Sequence, residues 1–339
     1  MRSVYITKHG GPDVLRLREE STPEPGPGQV RLAIKAAGIN FADLMQRMGL
    51  YPSALKPPYV PGFEAAGIVE AIGDGVSGLQ AGARVAAMLP SGGYASHVLT
   101  DSARVLPLPS NMCFEEAAAL PVNYLTAYHM MVRLGRLEKG QRILIHMAGG
   151  GVGIAAVQIA REVGAEIFGT ASASKHAVLR EQGVHHPIDY RTLDFATEVR
   201  RIAGPAGVDM VLDSLGGAAT AKNYELLAPG GKLMIFGFAR AVAGDRLTLT
   251  TVIEALRMPK FGPRQLMMDN KSVFGVHLGR MNTPAELAVL GQELEDLLRL
   301  YAEGRIKPLV GKTFPLADAA EAHRYIQRRE NVGKVVLIP

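Results

Sequence analysis

The sequence predicts an α/β fold in two parts: a compact, mostly β domain and a larger domain built on a doubly wound parallel sheet. Three observations lead to this prediction. The 339 residues, 47% hydrophobic and 20% charged, are more than one hydrophobic core usually holds. The first 110 residues are short apolar runs divided by Gly/Pro clusters. From about residue 122, strand-like and helix-like segments alternate.

In the first part, the short runs predict strands, and several show the alternating pattern of a half-buried sheet. A helix should follow over Asn111–Leu120, with Ser110 or Asn111 as its N-cap and Glu115 and Glu116 early in it. The strands are expected over residues 4–6, 15–19, 30–39, 65–73, 83–89 and 94–100.

In the second part, the alternation predicts a parallel sheet with right-handed crossovers. The segment SVFGVHL (272–278) can add a strand, and residues 283–304 form an amphipathic helix that Thr283 caps and Gly304 closes. The final segment is typical of a strand, a helix and a strand, and it should return to the first domain. The predicted boundaries are 1–121 for the first part, 122–282 for the second and 283–339 for the returning segment.

Composition excludes several classes of protein. The net charge of +5 and the pI near 9.3 come from scattered Lys and Arg residues, so we expect no nucleic-acid partner. The single cysteine, Cys113, excludes an intrachain disulfide and fits a reducing compartment. No uncharged apolar run reaches the roughly 18 residues of a membrane span, and the N-terminus lacks the apolar segment of a signal peptide. We therefore expect a cytoplasmic protein without stable membrane insertion.

The run HMAGGGVGIAAVQIA, residues 146–160, lies between a predicted strand and a predicted helix. This is the context of a dinucleotide-binding fingerprint, whose three positions are taken by Ala148, Gly150 and Gly153. Gly150 would let the backbone approach a pyrophosphate, and Gly151 and Val152 would present helix N–H groups to it. The alternative is a glycine-rich turn with no ligand.

The following strand favours NADPH over NADH. An NAD-preferring site usually has an acidic residue about 20 residues after the glycine run, to hold the ribose hydroxyls. No acid lies between Glu166 and Glu181. Thr170, Ser172 and Lys175 instead offer hydroxyls and one cation, which suit a 2′-phosphate. The alternative for Lys175 is a solvated residue in the first turn of a helix.

Four segments are considered together: GINFADLMQRMGLYP, PPYVPGFEAAGIVEAIG, the glycine run and NVGKVVLIP. They resemble the medium-chain dehydrogenase/reductase superfamily and, more narrowly, its zinc-free quinone oxidoreductase group. The resemblance covers essentially the whole chain, and residues 260–281 narrow it to the vesicle-amine-transport-protein-like branch. It implies a GroES-like β domain split around a Rossmann domain, with the active site in the cleft between them. It also implies NADPH-dependent reduction of quinones or α,β-unsaturated carbonyls.

The resemblance also implies roles for residues. Asn40, Asp43 and Tyr51 take the cleft positions, and Lys175 and Tyr190 match positions that hold the 2′-phosphate. The usual GDRV turn is GARV here, with Ala83 replacing Asp. The remaining expected cofactor contacts are Leu215, Phe236, Gly237, Val276, Asn331 and Lys334, and the expected substrate contacts are Tyr51, Asn123 and Met267.

No metal site is expected. Asn40 and Phe41 stand where a zinc-binding relative would have its first cysteine, and Phe63 replaces the histidine before Glu64. Glu64 is therefore interpreted as a structural carboxylate and Cys113 as a buried structural thiol.

Without a metal, the negative charge that develops on a substrate carbonyl needs hydrogen-bond donors. The Tyr51 hydroxyl and the Asn40 amide are the candidates. Tyr51 could instead be a loop tyrosine packed under Pro52. Asn40 could only brace its own turn, or it could equally contact the cofactor by holding its ribose or nicotinamide. A quinone can take its proton from water. Asp43 is interpreted as a buried acceptor. The Met-rich segment 256–268 could cover the substrate, and pairing of strand 272–278 predicts a homodimer.

Two other functions stay open. An enoyl-thioester reductase would need a basic patch, which Lys260, Arg264 and Lys271 could supply. A reductase-like protein that works by binding lipid, membrane or protein partners is the third hypothesis.

Overall fold

A computed structural model describes residues 1–51, 54–239, 253–254 and 256–339. The chain divides into two compact units, Met1–Leu125 with Gly279–Pro339, and Thr126–Leu278. The divisions fall after residues 125 and 278, where the sequence placed them after 121 and 282.

Strands and helices are numbered along the chain. The strands are β1 Arg2–Ile6, β2 Leu15–Glu19, β3 Gln29–Ile39, β4 Glu64–Ile72, β5 Arg84–Met88, β6 His97–Asp101, β7 Val105–Pro107, β8 Arg142–Ile145, β9 Glu166–Ala171, β10 His186–Asp189, β11 Val208–Asp213, β12 Leu227–Ile235, β13 Ser272–Gly275, β14 Val310–Pro315 and β15 Lys334–Ile338. The helices are α1 Phe41–Met48, α2 Phe114–Ala117, α3 Leu125–Tyr128, α4 Gly151–Val163, α5 His176–Gln182, α6 Phe195–Ala203, α7 Ala218–Leu226, α8 Pro263–Asp269, α9 Pro284–Ala302 and α10 Ala319–Gln327. Two π-helical turns, Leu120–Tyr124 and His129–Leu134, flank α3.

The sheet of the first unit is centred on β3. Its strand order is β14-β15-β3-β4-β5-β7, and β6 also pairs with β3. β3 pairs with β4 along one edge, while β6 and β15 divide its other edge. Alternate residues of its first half are buried, such as Val30, Leu32 and Ile34, because only one face of that half packs on the core. The C-terminal strand thus completes the sheet that the N-terminal segment begins.

The second unit contains a six-stranded, fully parallel sheet in the order β10-β9-β8-β11-β12-β13. Its central strands are almost continuously buried, as expected when helices cover both faces of a parallel sheet. From β8 the chain moves outward to β9 and β10, then returns to β11 on the other side of β8 and moves outward again. The carboxyl ends of strands at such a switch point form the usual ligand crevice of this architecture. The predicted doubly wound sheet is confirmed.

The start of α2 differs from the prediction. The helix begins at Phe114 with Cys113 in the N-cap position, so the predicted caps at Ser110 and Asn111 are wrong. The Arg84 guanidinium donates to the carbonyl oxygens of Ser110 and Met112, which holds these residues in a turn ahead of the helix. Cys113 is exposed, so its interpretation as a buried thiol is also wrong.

The long helix near the C-terminus, α9, agrees with the prediction. Thr283 and Glu286 form a capping box at its N-terminus, in which the Thr283 hydroxyl accepts from the Glu286 N–H. Just beyond its end, Gly304 adopts a left-handed conformation with φ +71°. The predicted start and end signals of this helix are confirmed.

Candidate active site

The glycine run forms a tight turn between β8 and α4. The Gly150 N–H donates to the carbonyl oxygen of Met147 at 2.8 Å, and Gly150 is the N-cap of α4. A Cβ on Gly153 would lie 2.3 Å from the Met147 oxygen and 2.6 Å from the Ala148 oxygen, so no larger residue fits. The first N–H groups of α4 have no acceptor within the helix and carry a partial positive charge. The turn can therefore hold an anion such as a pyrophosphate.

A cation and two hydroxyls lie beside this turn, where β9 ends. A Cβ on Gly149 would be 3.0 Å from Cδ of Lys175, so the aliphatic chain of the lysine lies across the turn. The Ser172 and Ser174 hydroxyls are 3.1 Å apart. Because no carboxylate stands among them, this group fits a phosphate better than a free ribose hydroxyl pair.

Within the second unit, the residues predicted to contact the cofactor lie at or just beyond the carboxyl ends of the strands. These ends lie along one edge of the parallel sheet. The glycine run follows β8, and Ser172 and Lys175 follow β9. The other four strands contribute Tyr190 after β10, Leu215 after β11, Phe236 and Gly237 after β12, and Val276 after β13. The topology thus brings residues that are up to about 130 positions apart in the chain to one edge of the sheet.

Thr170 is the exception among these predictions. Its side chain is buried, and its hydroxyl interacts with the ring Nδ1 of His146 at 3.1 Å and accepts from the Met147 N–H at 3.2 Å. The buried hydroxyl is therefore occupied by partners within the protein. We therefore assign Thr170 to the support of the turn rather than to direct cofactor contact.

In the first unit, four polar residues form a buried cluster. The Asn40 side-chain oxygen accepts from the Asn123 amide at 2.8 Å and from the Lys334 ammonium at 2.7 Å, and its amide nitrogen donates to Glu64 at 2.7 Å. Glu64 also forms an ion pair with Lys334 and accepts from the Val122 N–H at 2.7 Å. The Glu64 carboxylate is therefore a structural hub, as the sequence indicated, and Lys334 neutralises its charge.

Backbone packing closes this cluster on one side. A Cβ on Gly38 would lie 2.4 Å from the Ala118 carbonyl oxygen and 2.5 Å from the Glu64 carboxylate. Only glycine leaves room there for Glu64 and Lys334 to meet. No sequence pattern other than the glycine itself signals this close approach, because Ala118 and Lys334 are distant from Gly38 in the chain.

Contacts within the first unit change the interpretation of two predicted cofactor residues and one predicted substrate residue. Lys334 is only 2% exposed, and its ammonium is engaged by Asn40 and Glu64. Asn331, in the same unit, donates its side-chain amide to the Gly333 carbonyl oxygen at 3.2 Å. Asn123, predicted to contact substrate, is buried and directs its amide at Asn40. The described contacts give these residues structural partners.

Asp43 lies in the first turn of α1, where its carboxyl group accepts the Asn40 backbone N–H at 2.7 Å and its own N–H donates to the Asn40 carbonyl oxygen at 3.0 Å. Burial raises the pKa of the Asp43 carboxyl to about 7, and the nearby Lys334 charge only partly offsets this effect. One of its oxygens, Oδ1, has no hydrogen-bond partner among the described residues. The prediction that Asp43 is a buried acceptor is confirmed.

Tyr51 is half-buried, with its ring centre 5.7 Å from that of Phe63. Burial, and to a smaller extent the negative charge of Asp43, raise the pKa of its phenol to about 12. The hydroxyl therefore keeps its proton at neutral pH and can donate it in a hydrogen bond. Pro52, under which Tyr51 was expected to pack in the alternative interpretation, lies outside the described residues. Met267, the other predicted substrate contact, is 71% exposed on α8.

Among the residues that the structure describes, no three His, Cys, Asp or Glu side chains lie together where they could hold a metal ion. In the same part of the chain, no helix has the length and apolar character needed to cross a membrane.

Comparison with known proteins defines the family. The synaptic vesicle membrane protein VAT-1 homolog of Rattus norvegicus is 44% identical over 343 residues, covering 100% of this chain and 84% of the relative. The chain belongs to the medium-chain dehydrogenase/reductase superfamily, in its VAT-1-like branch. Membership of this superfamily makes the protein an oxidoreductase. The family model described as an alcohol dehydrogenase GroES-like domain matches residues 26–110, and the one described as a zinc-binding dehydrogenase matches residues 182–337.

Solved structures agree with this membership of the medium-chain dehydrogenase/reductase superfamily. The quinone oxidoreductase of Escherichia coli, complexed with NADPH, is 30% identical with a TM-score of 0.88, covering 100% of both chains. The CurK enoyl reductase is 33% identical with a TM-score of 0.85, covering 99% of this chain and 98% of the other. The GroES-like and Rossmann-type sheets predicted from the sequence are those of this superfamily.

Proposed function

We propose that the protein is an NADPH-dependent, metal-free oxidoreductase that transfers hydride to quinones or α,β-unsaturated carbonyls. The observation that carries the proposal is the arrangement at the carboxyl edge of the parallel sheet. There, the glycine turn, Lys175 and the Ser172–Ser174 hydroxyl pair form an anion-binding group with no carboxylate among them. The NADPH complex of the related E. coli quinone oxidoreductase supports the same cofactor.

In this proposal, the residues of the second unit bind and orient the cofactor. The turn and the N-terminus of α4 would hold the pyrophosphate, while Lys175, Ser172 and Tyr190 would hold the 2′-phosphate. Leu215, Phe236, Gly237 and Val276 would flank the nicotinamide. When bound, NADPH supplies the hydride that the reaction needs.

On the substrate side, Tyr51 is the stronger candidate for a donor. Its raised pKa keeps the phenol protonated, so it can stabilise charge that develops on a carbonyl oxygen. Asn40 has less to offer, because its oxygen already accepts from Asn123 and Lys334 and one amide hydrogen is donated to Glu64. We therefore infer that Asn40 chiefly fixes the backbone next to the site. The chain has Asn40 and Phe63 at the ligand positions of zinc-dependent relatives, which supports the metal-free part of the proposal.

The test is oxidation of NADPH followed at 340 nm, with NADH in parallel. The substrate panel holds an ortho-quinone, a para-quinone, a short enone and an enoyl-CoA. We expect turnover of a quinone or the enone with a clear preference for NADPH. NADPH binding without turnover of any substrate would contradict the proposal, and so would a preference for NADH.

The variant Lys175→Ala tests the cofactor preference separately from the reaction. We expect it to weaken NADPH binding while leaving NADH binding almost unchanged, because only NADPH carries the 2′-phosphate. The matched control is Lys139→Ala, an exposed lysine elsewhere in the same unit. Equal losses for both cofactors would contradict the role of Lys175.

The enoyl-CoA in the panel tests the enoyl-thioester alternative, to which the likeness to the CurK enoyl reductase lends support. Of the three cations considered for a thioester-binding patch, Lys260 and Arg264 are exposed. Lys271 donates to the Tyr224 carbonyl oxygen at 2.9 Å, and burial lowers the pKa of its ammonium. The patch is therefore smaller than the sequence suggested. Preferred turnover of the enoyl-CoA would favour this alternative.

A second candidate function is attachment to an anionic lipid surface. Leu256, Met267 and Met268 are 80%, 71% and 71% exposed, and the exposed cations Arg257 and Arg264 accompany them. Exposed apolar and basic side chains together favour an interface with anionic lipid. Co-sedimentation with phosphatidylserine-containing vesicles, compared with neutral vesicles, tests this candidate. Absence of the protein from both pellets would count against it.

A further inference from the structure

Three buried side chains connect the glycine turn to the rest of the second unit. His146, Thr170 and Asn223 are 1%, 3% and 0% exposed. The His146 ring lies 3.1 Å from the Thr170 hydroxyl through Nδ1 and 2.8 Å from the Asn223 side-chain oxygen through Nε2. The edge of the ring packs against Phe195, with ring centres 4.7 Å apart. Thr170 was assigned above to the support of the turn, and neither His146 nor Asn223 is among the predicted cofactor residues.

The orientation of the Asn223 carboxamide, with its oxygen toward the His146 ring, sets the direction of the hydrogen bonds. A carboxamide oxygen only accepts, so Nε2 of His146 carries a hydrogen and donates it to Asn223. In the neutral ring, Nδ1 must then accept, and it receives the hydrogen of the Thr170 hydroxyl. The Thr170 oxygen is left to accept the backbone N–H of Met147. These three hydrogen bonds therefore form a chain in which each group donates to the next, from Met147 to Asn223.

Met147, the first donor in this chain of hydrogen bonds, has an unusual backbone conformation. Met147 has φ +51°, a left-handed conformation that is unfavourable for a residue with a side chain. Its carbonyl oxygen accepts the Gly150 N–H at 2.8 Å and lies where a Cβ on Gly153 would collide with it. The conformation of Met147 thus determines the shape of the turn, and the Thr170 hydroxyl holds its N–H.

We propose that His146 is a positioning residue for cofactor binding. It holds the Thr170 hydroxyl in the orientation that fixes Met147, and it thereby keeps the glycine turn open to the pyrophosphate before the cofactor arrives. Asn223 on α7 anchors the far side of the ring. This inference rests on the proposed binding of NADPH, and it adds a residue that would not touch the cofactor.

Two substitutions separate the two hydrogen bonds of the ring. His146→Asn places an oxygen near the position of Nδ1 and can still accept from Thr170. His146→Gln places its amide near Nε2 and can still donate to Asn223, but it leaves Thr170 without its acceptor. We expect the Kd for NADPH, measured by fluorescence titration, to rise about tenfold in His146→Gln, the loss of one hydrogen bond. In His146→Asn it should rise by less than about threefold.

Phe195→Leu is the matched control, because it removes the ring that packs on His146 but no hydrogen bond. We expect its Tm to fall while its Kd for NADPH stays that of the wild type. Thr170→Val removes the central hydroxyl while keeping the shape, and it should raise Kd as much as His146→Gln does. It serves as the readout if His146→Gln does not fold.

The outcomes distinguish this inference from the proposed function. If the wild type binds no NADPH, the proposed function fails and this inference fails with it. If the wild type binds NADPH and His146→Gln and Thr170→Val bind it equally well, with only Tm lowered, His146 is merely structural. An equal rise in the Kd for NADPH in His146→Asn and His146→Gln would also contradict the proposal, because only His146→Gln removes the acceptor of the Thr170 hydroxyl.

Discussion

The charges of Glu64 and Lys334 are buried together, at 0% and 2% side-chain exposure. Removing either partner from such a pair typically costs about 3–5 kcal/mol of unfolding free energy, because the other charge is left without compensation. Asn40 and the Val122 N–H occupy further hydrogen-bonding positions of the carboxylate. Each of these groups thus fixes the others, which gives α1 and β4 a defined geometry next to the candidate substrate site.

The raised pKa of Asp43 predicts how the stability of the protein depends on pH. Its pKa in the folded protein is raised to about 7 from 3.8, so the folded state holds a proton that the unfolded state has lost. Stability from this group is therefore present at acidic pH and is lost as pH rises from about 4 to about 7. Asp43→Asn keeps an acceptor for the Asn40 N–H but cannot ionise. We expect the free energy of unfolding of the variant, relative to that of the wild type, to increase by about 1 kcal/mol per pH unit between pH 5 and 7.

Urea unfolding of both proteins at pH 5, 6, 7 and 8 measures this difference directly. Comparing the two proteins at each pH cancels the titration of all other groups. A difference that does not change with pH would mean that Asp43 stays ionised in the folded protein.

Tyr51→Phe tests the proton-donating hydroxyl. We expect activity on enones to fall at least about tenfold, while the Kd for NADPH changes little, because the phenol is proposed to act only on the developing charge. Tyr59→Phe is the matched control. Its hydroxyl is also held in the first unit, donating to the Gln46 carbonyl oxygen at 3.2 Å, and its pKa is likewise raised to about 12 by burial. An unchanged rate in Tyr51→Phe would remove Tyr51 from the mechanism.

At the scale of elements, two helix glycines have opposite consequences. Gly153 lies in the first turn of α4, where a Cβ would collide with the carbonyl oxygens of Met147 and Ala148. A Cβ on Gly291 in α9 would meet nothing within 4 Å. We expect Gly153→Ala to abolish NADPH binding and lower Tm, because the helix must move away from the turn. Gly291→Ala should raise stability by up to about 1 kcal/mol through helix propensity. Thermal melts and NADPH titration of both variants check this; retained binding in Gly153→Ala would contradict the tight turn.

The strand and helix pattern was predictable wherever a local signal exists. The glycine run, the alternation that builds the parallel sheet, and the Thr283 capping box depend on residues close in sequence. The start of α2 was not predictable, because a guanidinium from β5 holds the residues before it. Cys113 was misjudged for the same reason: without that turn, a helix start at Asn111 would have placed it inside the helix.

The candidate site shows the same division. The glycine run, Ser172 and Lys175 were predicted from the residues at two strand ends, and the family resemblance implied the other residues at the carboxyl edge of the sheet. The topology brings them together because parallel strands end at one edge. The pairing of Lys334 with Glu64 spans 270 positions, and no local pattern announces it. His146 was overlooked, although a polar residue directly after an apolar strand and before a glycine turn is a signal that could have been used.

At the scale of the whole molecule, β13 is the last strand of its sheet as the described residues show it. Its outer edge offers backbone N–H and C=O groups to another chain. We propose that two copies pair here as a homodimer. Light scattering after size exclusion should give twice the 36.2 kDa mass of the chain. Ser272→Lys, which puts a charge on the exposed start of this edge, should give a monomer, and Ser21→Lys should not. A monomeric wild type would contradict the proposal.

The first unit has a consequence for how the protein is made. Its sheet pairs β3 with β15, so Ile39 and Gly38 stay without Val335 and Val336 until the ribosome has passed the whole second unit. The second unit, by contrast, is complete in one continuous stretch of the message. During synthesis we therefore expect the second unit to fold first. Meanwhile, Glu64 remains a carboxylate without its cation, and half of one β3 edge stays open to chaperones, until Lys334 emerges.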